Sequence, residues 1–199
     1  MIDVHCHILP HIDDGASSME EALEMDYVSH NASTCGLHIH VGRSAFGDSD
    51  EAQEAGIGRV VFFVEKHWNE LVKFSRRGAT QLNRWAARYA TISDTAKETY
   101  RKAKDKYAGR YVAVNLENYA TIEFRMFRGT LRYQTFAATL QLVDEICQLA
   151  INCSDGDLEA LSWSEFVSAI DAEAKPELIA YLKSKRLYVN ATELESEEM

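Results

Sequence analysis

The sequence predicts an α+β fold built on one antiparallel sheet, and three observations carry that expectation. Residues 37–41 and 121–127 alternate apolar and polar side chains with period two, as half-buried strands do. Residues 111–116 read as a third strand, and only four residues separate them from the run at 121–127, short enough to close an antiparallel hairpin. Phe136, Leu140, Val143, Ile146, Cys147 and Leu149 then recur at helical spacing. They predict one long amphipathic helix over roughly 133–152, packed on the sheet's apolar face.

The other elements follow in chain order. Residues 1–8 read as a short buried strand and Asp13-Asp14-Gly15 as a turn. Ser17 or Ser18 precedes residues 19–25, whose acidic first turn suits a short capped helix. A polar stretch leads to the strand at 37–41, and a polar loop at 47–50 precedes a helix over roughly 51–74. Its stripe is Ile57, Val60, Val61, Val64, Trp68, Leu71 and Val72. Residues 80–90 mix loop and helix, with Trp85 expected in the core. Residues 95–107 alternate charges with few large apolar side chains and read as a solvated helix. Two shorter helices are expected over 163–172 and 176–185, the second opening on Pro176. The acidic stretch 191–199 reads as a disordered tail.

With 199 residues, 46% of them apolar, the chain can bury one sizeable core. A formal charge of −10 argues against general nucleic-acid binding. No run is long and apolar enough to span a membrane, and no basic-then-apolar leader opens the chain, so a cytoplasmic protein without a membrane partner is expected. Cys6, Cys35, Cys147 and Cys153 form no Cys-x-x-Cys pair and read as buried free thiols in a reducing compartment. The oligomeric state is not legible.

Two of the strands carry chemistry. Residues two apart in a strand share a face, so His38 and His40 point opposite to Leu37, Ile39 and Val41. Glu123 and Arg125 likewise point away from Ile122, Phe124 and Met126. Gly36, Gly42 and Gly129 close the runs. A carboxylate with imidazoles can hold a cation and guanidiniums can hold phosphate oxygens, which suits a metal-nucleotide site. The alternative is that both pairs are solvated faces of amphipathic strands. The hairpin would bring Asn115 near the Glu123 and Arg125 face.

From about residue 27 onward the chain resembles the amidoligase family of ATP-dependent carboxylate-amine ligases. The resemblance rests on Thr34-Cys35-Gly36-Leu37-His38-Ile39-His40-Val41, Phe74-Ser75-Arg76-Arg77, Tyr111-Val112-Ala113-Val114-Asn115-Leu116 and Thr121-Ile122-Glu123-Phe124-Arg125-Met126-Phe127-Arg128-Gly129-Thr130-Leu131, in that order. It implies a partial glutamine-synthetase-like fold, a curved antiparallel sheet with flanking helices that cradles ATP and Mg2+. A small-molecule or peptide carboxylate is activated as an acyl phosphate and attacked by an amine. On this resemblance Glu123, Arg125 and Arg128 are the catalytic candidates, with His38, His40 and Glu123 as metal ligands. Asn115 is a candidate to orient nucleotide or metal-bound water. Arg76 and Arg77 are candidates for a second phosphate or substrate-carboxylate contact, or form a surface Arg pair. A Glu123→Gln exchange is expected to abolish Mg-ATP binding and leave the fold intact. The family's Glu-x-Glu strand does not precede the His38 strand here. A truncated, weakly active relative and a non-catalytic remnant or binding subunit are therefore further readings.

The opening Met1-Ile2-Asp3-Val4-His5-Cys6-His7-Ile8-Leu9-Pro10-His11-Ile12-Asp13-Asp14-Gly15 looks like the start of PHP-domain phosphoesterases. The nearest branch is that of bacterial tyrosine phosphatases linked to capsule synthesis. This resemblance implies a metal-dependent phosphoesterase as the alternative function, with His5, His7 and Asp14 holding Mn2+, Zn2+ or Fe. Such a site also draws on later strands, including an Asp-x-His pair, and no Asp-x-His occurs after His5. The chain divides on this reading into a PHP-like strand-helix segment (1–26), an amidoligase-like domain (27–190) and an acidic tail (191–199). The seam falls near residues 24–29, and a bacterial or phage origin is implied.

Overall fold

The computed structural model describes residues 36–89, 95–105, 109–130 and 132–189, and the backbone alone of residues 2–5. Its sheet has the order β1-β2-β4-β3 with every pairing antiparallel, from β1 (Ile2–His5), β2 (Leu37–Gly42), β3 (Val114–Asn115) and β4 (Thr121–Phe127). The fold class is α+β. Burial alternates along β2, with Leu37, Ile39 and Val41 in the core, as the period-two pattern requires. Ile122, Phe124 and Met126 of β4 are buried on the same side as part of one hydrophobic cluster.

A 3-10 turn (Arg43–Phe46) leads into α1 (Asp50–Lys66), capped by the Ser49 side chain, which accepts the Ala52 N–H. Here the expected single helix over 51–74 is corrected: α1 ends at His67, and α2 (Trp68–Ser75) starts anew. The apolar stripe runs through the break, so periodicity hides it. His67 itself is buried against Phe63 and Trp163, at ring separations of 4.6 and 5.7 Å. Helix α3 (Ala79–Trp85) occupies the mixed region. Helix α4 (Ala96–Asp105) falls where a solvated helix is expected, yet Ala96, Thr99, Tyr100 and Ala103 are buried. Its inner face combines Ala96, Thr99 and Ala103 with the one large ring of Tyr100, and the helix reaches α1 through Gly58. A Cβ on Gly58 would lie 3.1 Å from Tyr100 Cβ and 3.2 Å from the Ala96 carbonyl oxygen.

The strand expected over 111–116 shrinks to the two residues of β3, because the preceding backbone turns to another partner. Ala87 donates its N–H to Tyr111 O and accepts from Ala113 N–H, forming a parallel bridge with Val112. Buried Glu65 of α1 fixes that partner by accepting from the Tyr89 N–H and from Arg88 Nε. Helix α5 (Tyr133–Asn152) has the predicted limits, and its Leu142, Val143 and Ile146 join the cluster that holds the sheet's apolar face. Helix α6 (Asp155–Ala160), held by a Ser154/Asp157 capping box, is an addition to the expected elements. Helices α7 (Trp163–Ala169) and α8 (Pro176–Ser184, with proline in the first turn) match expectation to within a few residues.

Cys147 is a buried free thiol, pushed up to about 12 by burial, whereas Cys153 is free and half-buried. Among the described residues no helix is long and apolar enough to cross a membrane. The helix expected at 19–25, the tail at 191–199, and Cys6, His7, Asp14 and Cys35 lie outside the described residues.

Candidate functional site

The polar face of the sheet gathers its reactive side chains around Glu123. In the cross-strand register Glu123 stands opposite His40 on one side and Asn115 on the other, and residues directly opposite in an antiparallel pair share a face. Arg125 Nη1 donates to Glu123 Oε1 at 2.6 Å, and Asn115 Nδ2 donates to Oε2 at 2.8 Å. His38 Nδ1 lies 3.0 Å from Oε1, while His40 Nε2 is 3.7 Å away and instead places Nδ1 3.1 Å from Thr121 Oγ1.

A one-residue register shift makes this convergence possible. Leu37 pairs with Phe127 but Ile39 pairs with Phe124, so Arg125 and Met126 together oppose the single residue His38. Such a bulge re-aims side chains locally, and here it lets both His38 and Arg125 meet the same carboxylate oxygen.

Glu123 and Asn115 are buried and His38 and His40 half-buried, and the charge states follow from that. Burial alone would raise the Glu123 carboxyl, but hydrogen bonds from His38 and Asn115 and the Arg125 charge outweigh it and hold the group at about 2. Burial lowers His38 below its ordinary 6.5, and the Arg125 and Arg77 cations add to this against the pull of Glu123. At neutral pH His38 is therefore an uncharged imidazole. Its Nδ1–H donates to Glu123, which leaves the Nε2 lone pair free of that proton. Arg125 Nε is buried without a hydrogen-bond partner among the described residues, and its guanidinium carbon lies 5.6 Å from the Tyr111 ring centroid.

Arg77, only 7% exposed, belongs to this neighbourhood and is not part of a surface pair. Gly36 makes room for it: a Cβ there would sit 1.8 Å from Arg77 Nη2. Arg76 departs in another direction. It caps α2 in the left-handed conformation (φ 62°) and donates to the Arg128 carbonyl oxygen at 2.6 Å. Arg128 follows the end of β4, with its N–H donated to Ser75 O, off the alternation that unites Glu123 and Arg125. The structure thus brings together Glu123, Arg125, Asn115, His38, His40 and Arg77, and sets Arg76 and Arg128 apart. Trp85, expected in the core, is half-buried and packs edge-on to the exposed Tyr111 ring at 5.3 Å. Thr121 and Tyr111 are contributors that sequence reasoning passed over, although each lies within a quoted strand motif.

The residues do not fit Mg2+. Oε1 of Glu123 is engaged by Arg125 and His38 and Oε2 by Asn115, so a cation bound there would have to displace a guanidinium 2.6 Å away. Mg2+ also prefers oxygen ligands in octahedral geometry. Among the described residues no group of three or more His, Cys, Asp or Glu could hold a metal ion. Among the described residues the buried Arg125 Nε has no acceptor, a lack that a cation would not meet. On the far side of β2, strand β1 sets His5 opposite His38 and Asp3 opposite His40 in the backbone register.

Comparison with known proteins gives one family. Residues 1–39 are similar to the family described as capsular polysaccharide synthesis, CpsB/CapC. The match covers about a fifth of the chain and ends inside β2, at Ile39, after His38 and before His40. No curated protein and no solved structure matches.

Proposed function

We propose that this chain works on phosphoryl groups as a cytoplasmic ATP-dependent carboxylate-amine ligase, or as a weakly active relative of one. The observation that carries the reading is the convergence of Arg125, Asn115 and His38 on Glu123 across an antiparallel sheet. ATP and the carboxylate and amine substrates are parts of this proposal. In it, the Arg125 guanidinium faces a phosphoryl or carboxylate oxygen, while Glu123, itself held by Asn115, keeps the guanidinium in place. Glu123, ionised down to about pH 2, is a fixed counter-charge and cannot exchange protons near neutrality. His38 is the group able to accept the proton that an attacking amine loses when the acyl phosphate gives up its phosphate.

A second reading is a phosphoesterase, and the family match over residues 1–39 favours it. The match lends the ligase no support. The antiparallel pairing of β1 with β2 differs from the parallel strands of a barrel, which is why the ligase is preferred on geometry.

One experiment separates the two. The purified 199-residue chain is assayed for ADP formation from ATP with panels of carboxylates and amines, and in parallel for p-nitrophenyl phosphate cleavage with Mn2+. ADP formation that requires both co-substrates and falls at least about a hundredfold in Arg125→Lys is expected. Phosphate-ester cleavage that disappears on His5→Ala or His7→Ala, without ligase turnover, overturns the ligase in favour of the phosphoesterase. Nucleotide binding without turnover of either kind overturns both and leaves a binding subunit.

A further inference from the structure

Beside the sheet cluster lies a second group of cations. A cavity of about 470 Å3 is lined by Arg76, Arg132 and Lys185 together with Thr130, Tyr181 and Ser184. None of its described lining residues is acidic, in a chain whose formal charge is −10. Three like charges around one cavity repel each other unless something of opposite charge stands between them.

The cations are held in place by packing and hydrogen bonds. Arg76 is fixed by its bond to the Arg128 carbonyl oxygen and by the left-handed backbone that aims it. Lys185 Nζ sits 5.3 Å from the Tyr181 ring centroid, and the Tyr181 hydroxyl donates to Phe74 O at 3.2 Å. The first turn of the 20-residue α5 contributes from its end of the cavity, with Arg132 as its N-cap. That helix start has no side-chain cap and no acidic residue, although its partial positive charge favours one. Threonine and serine hydroxyls complete a set made of donors and cations.

We infer that this cavity is a binding site for a phosphate-type oxyanion, held by Arg76, Arg132 and Lys185 at the start of α5. The inference shares with the proposed function the class of ligand and needs no turnover. A chain inactive as ligase and as phosphatase still tests it. Thr130 and Arg128 continue from β4, and Arg76 adjoins Arg77 of the sheet cluster, so an anion here would bind one chain segment away from Glu123.

The test is calorimetric titration of the 199-residue chain with sodium tripolyphosphate, orthophosphate and succinate at low and high salt. Tripolyphosphate is expected to bind, with affinity falling about tenfold or more in Arg132→Gln and in Lys185→Gln, because each removes a charge-assisted hydrogen bond. Lys183→Gln, on the same helix but stacked on Tyr188, should bind as the parent does. Melting temperatures confirm that the variants fold. Amide shifts of Thr130, Thr135 and Ser184 on adding orthophosphate to the unmutated protein give a measurement free of substitutions. Unchanged affinity in the Arg132→Gln, Lys185→Gln double variant, or the lack of binding or shifts at millimolar phosphate, overturns the inference. Succinate binding as tightly, and lost in the same variants, overturns the phosphate assignment in favour of a carboxylate.

Discussion

Exchanging Glu123 for Gln removes one negative charge from a carboxylate on which Arg125, Asn115 and His38 all converge. The sequence alone treats this exchange as harmless to the fold, and the structure argues otherwise. Glu123 is 5% exposed and held at about 2 against an ordinary 4.5. A difference of that size corresponds to about 3 kcal/mol of stability. The group's folded value is depressed, so that stability is fully present above pH 4.5 and disappears as pH falls toward 2. The Gln variant forfeits it at neutral pH and also leaves the Arg125 cation, 11% exposed in its side chain, facing an amide. Breaking a buried pair in this way costs roughly 3–5 kcal/mol. Urea unfolding should therefore show a midpoint lowered by about 1–2 M, given slopes of a few kcal/mol per molar. Below pH 4 the variant should lose less further stability than the parent does. Removing the stranded cation as well, in Glu123→Gln with Arg125→Met, should recover part of the loss. A single variant destabilised by less than about 1 kcal/mol, a typical net hydrogen bond, or a double variant no more stable than the single one, would refute the account of Glu123 as the electrostatic anchor.

Two further outcomes are expected. His67 is buried, its Nε2 without a partner among the described residues, and it is lowered to about 4 by burial and the Lys66 charge. Stability should fall by about 3 kcal/mol as pH drops from 6.5 through 4. His67→Phe should flatten that slope in melting curves recorded across the range, and an unchanged slope would assign the acid sensitivity elsewhere. Gly36→Ala places a methyl group 1.8 Å from Arg77 Nη2. It should cost about 1–3 kcal/mol through forced displacement and raise the His38 titration midpoint, read by NMR, as the Arg77 cation moves away.

What the sequence made legible is local. Period-two alternation located β2 and β4, the 3.6-residue stripe fixed the limits of α5, and the short link from β3 to β4 brought Asn115 to Glu123. Each is a regularity carried by neighbouring residues. The misses depend on contacts far apart in sequence. The break at His67 reflects burial beside Trp163, 96 positions away, and β3 is shortened by Ala87. The inner face of α4 is buried because Tyr100 and the Ala96 backbone close on Gly58 across the core.

Arg76 and Arg77 mark where such reading ends. As adjacent cations they suggest one shared role, yet a single left-handed residue at the end of α2 turns them apart. Arg77 then stands in the sheet cluster, where burial, Arg125 and, least, Arg77 lower His38, while Arg76 lines the cationic cavity. A non-glycine residue with positive φ carries a steric cost, sustained only when surrounding contacts fix it. Here the Arg76 bond to the Arg128 carbonyl oxygen supplies such a contact, and the Ser75 carbonyl oxygen accepts the Arg128 N–H in return. The turn is thereby tied to the residue that follows β4, the strand bearing Glu123 and Arg125. The sheet cluster and the cationic cavity thus share one backbone connection, so a shift of Arg128 would be felt on both sides of it.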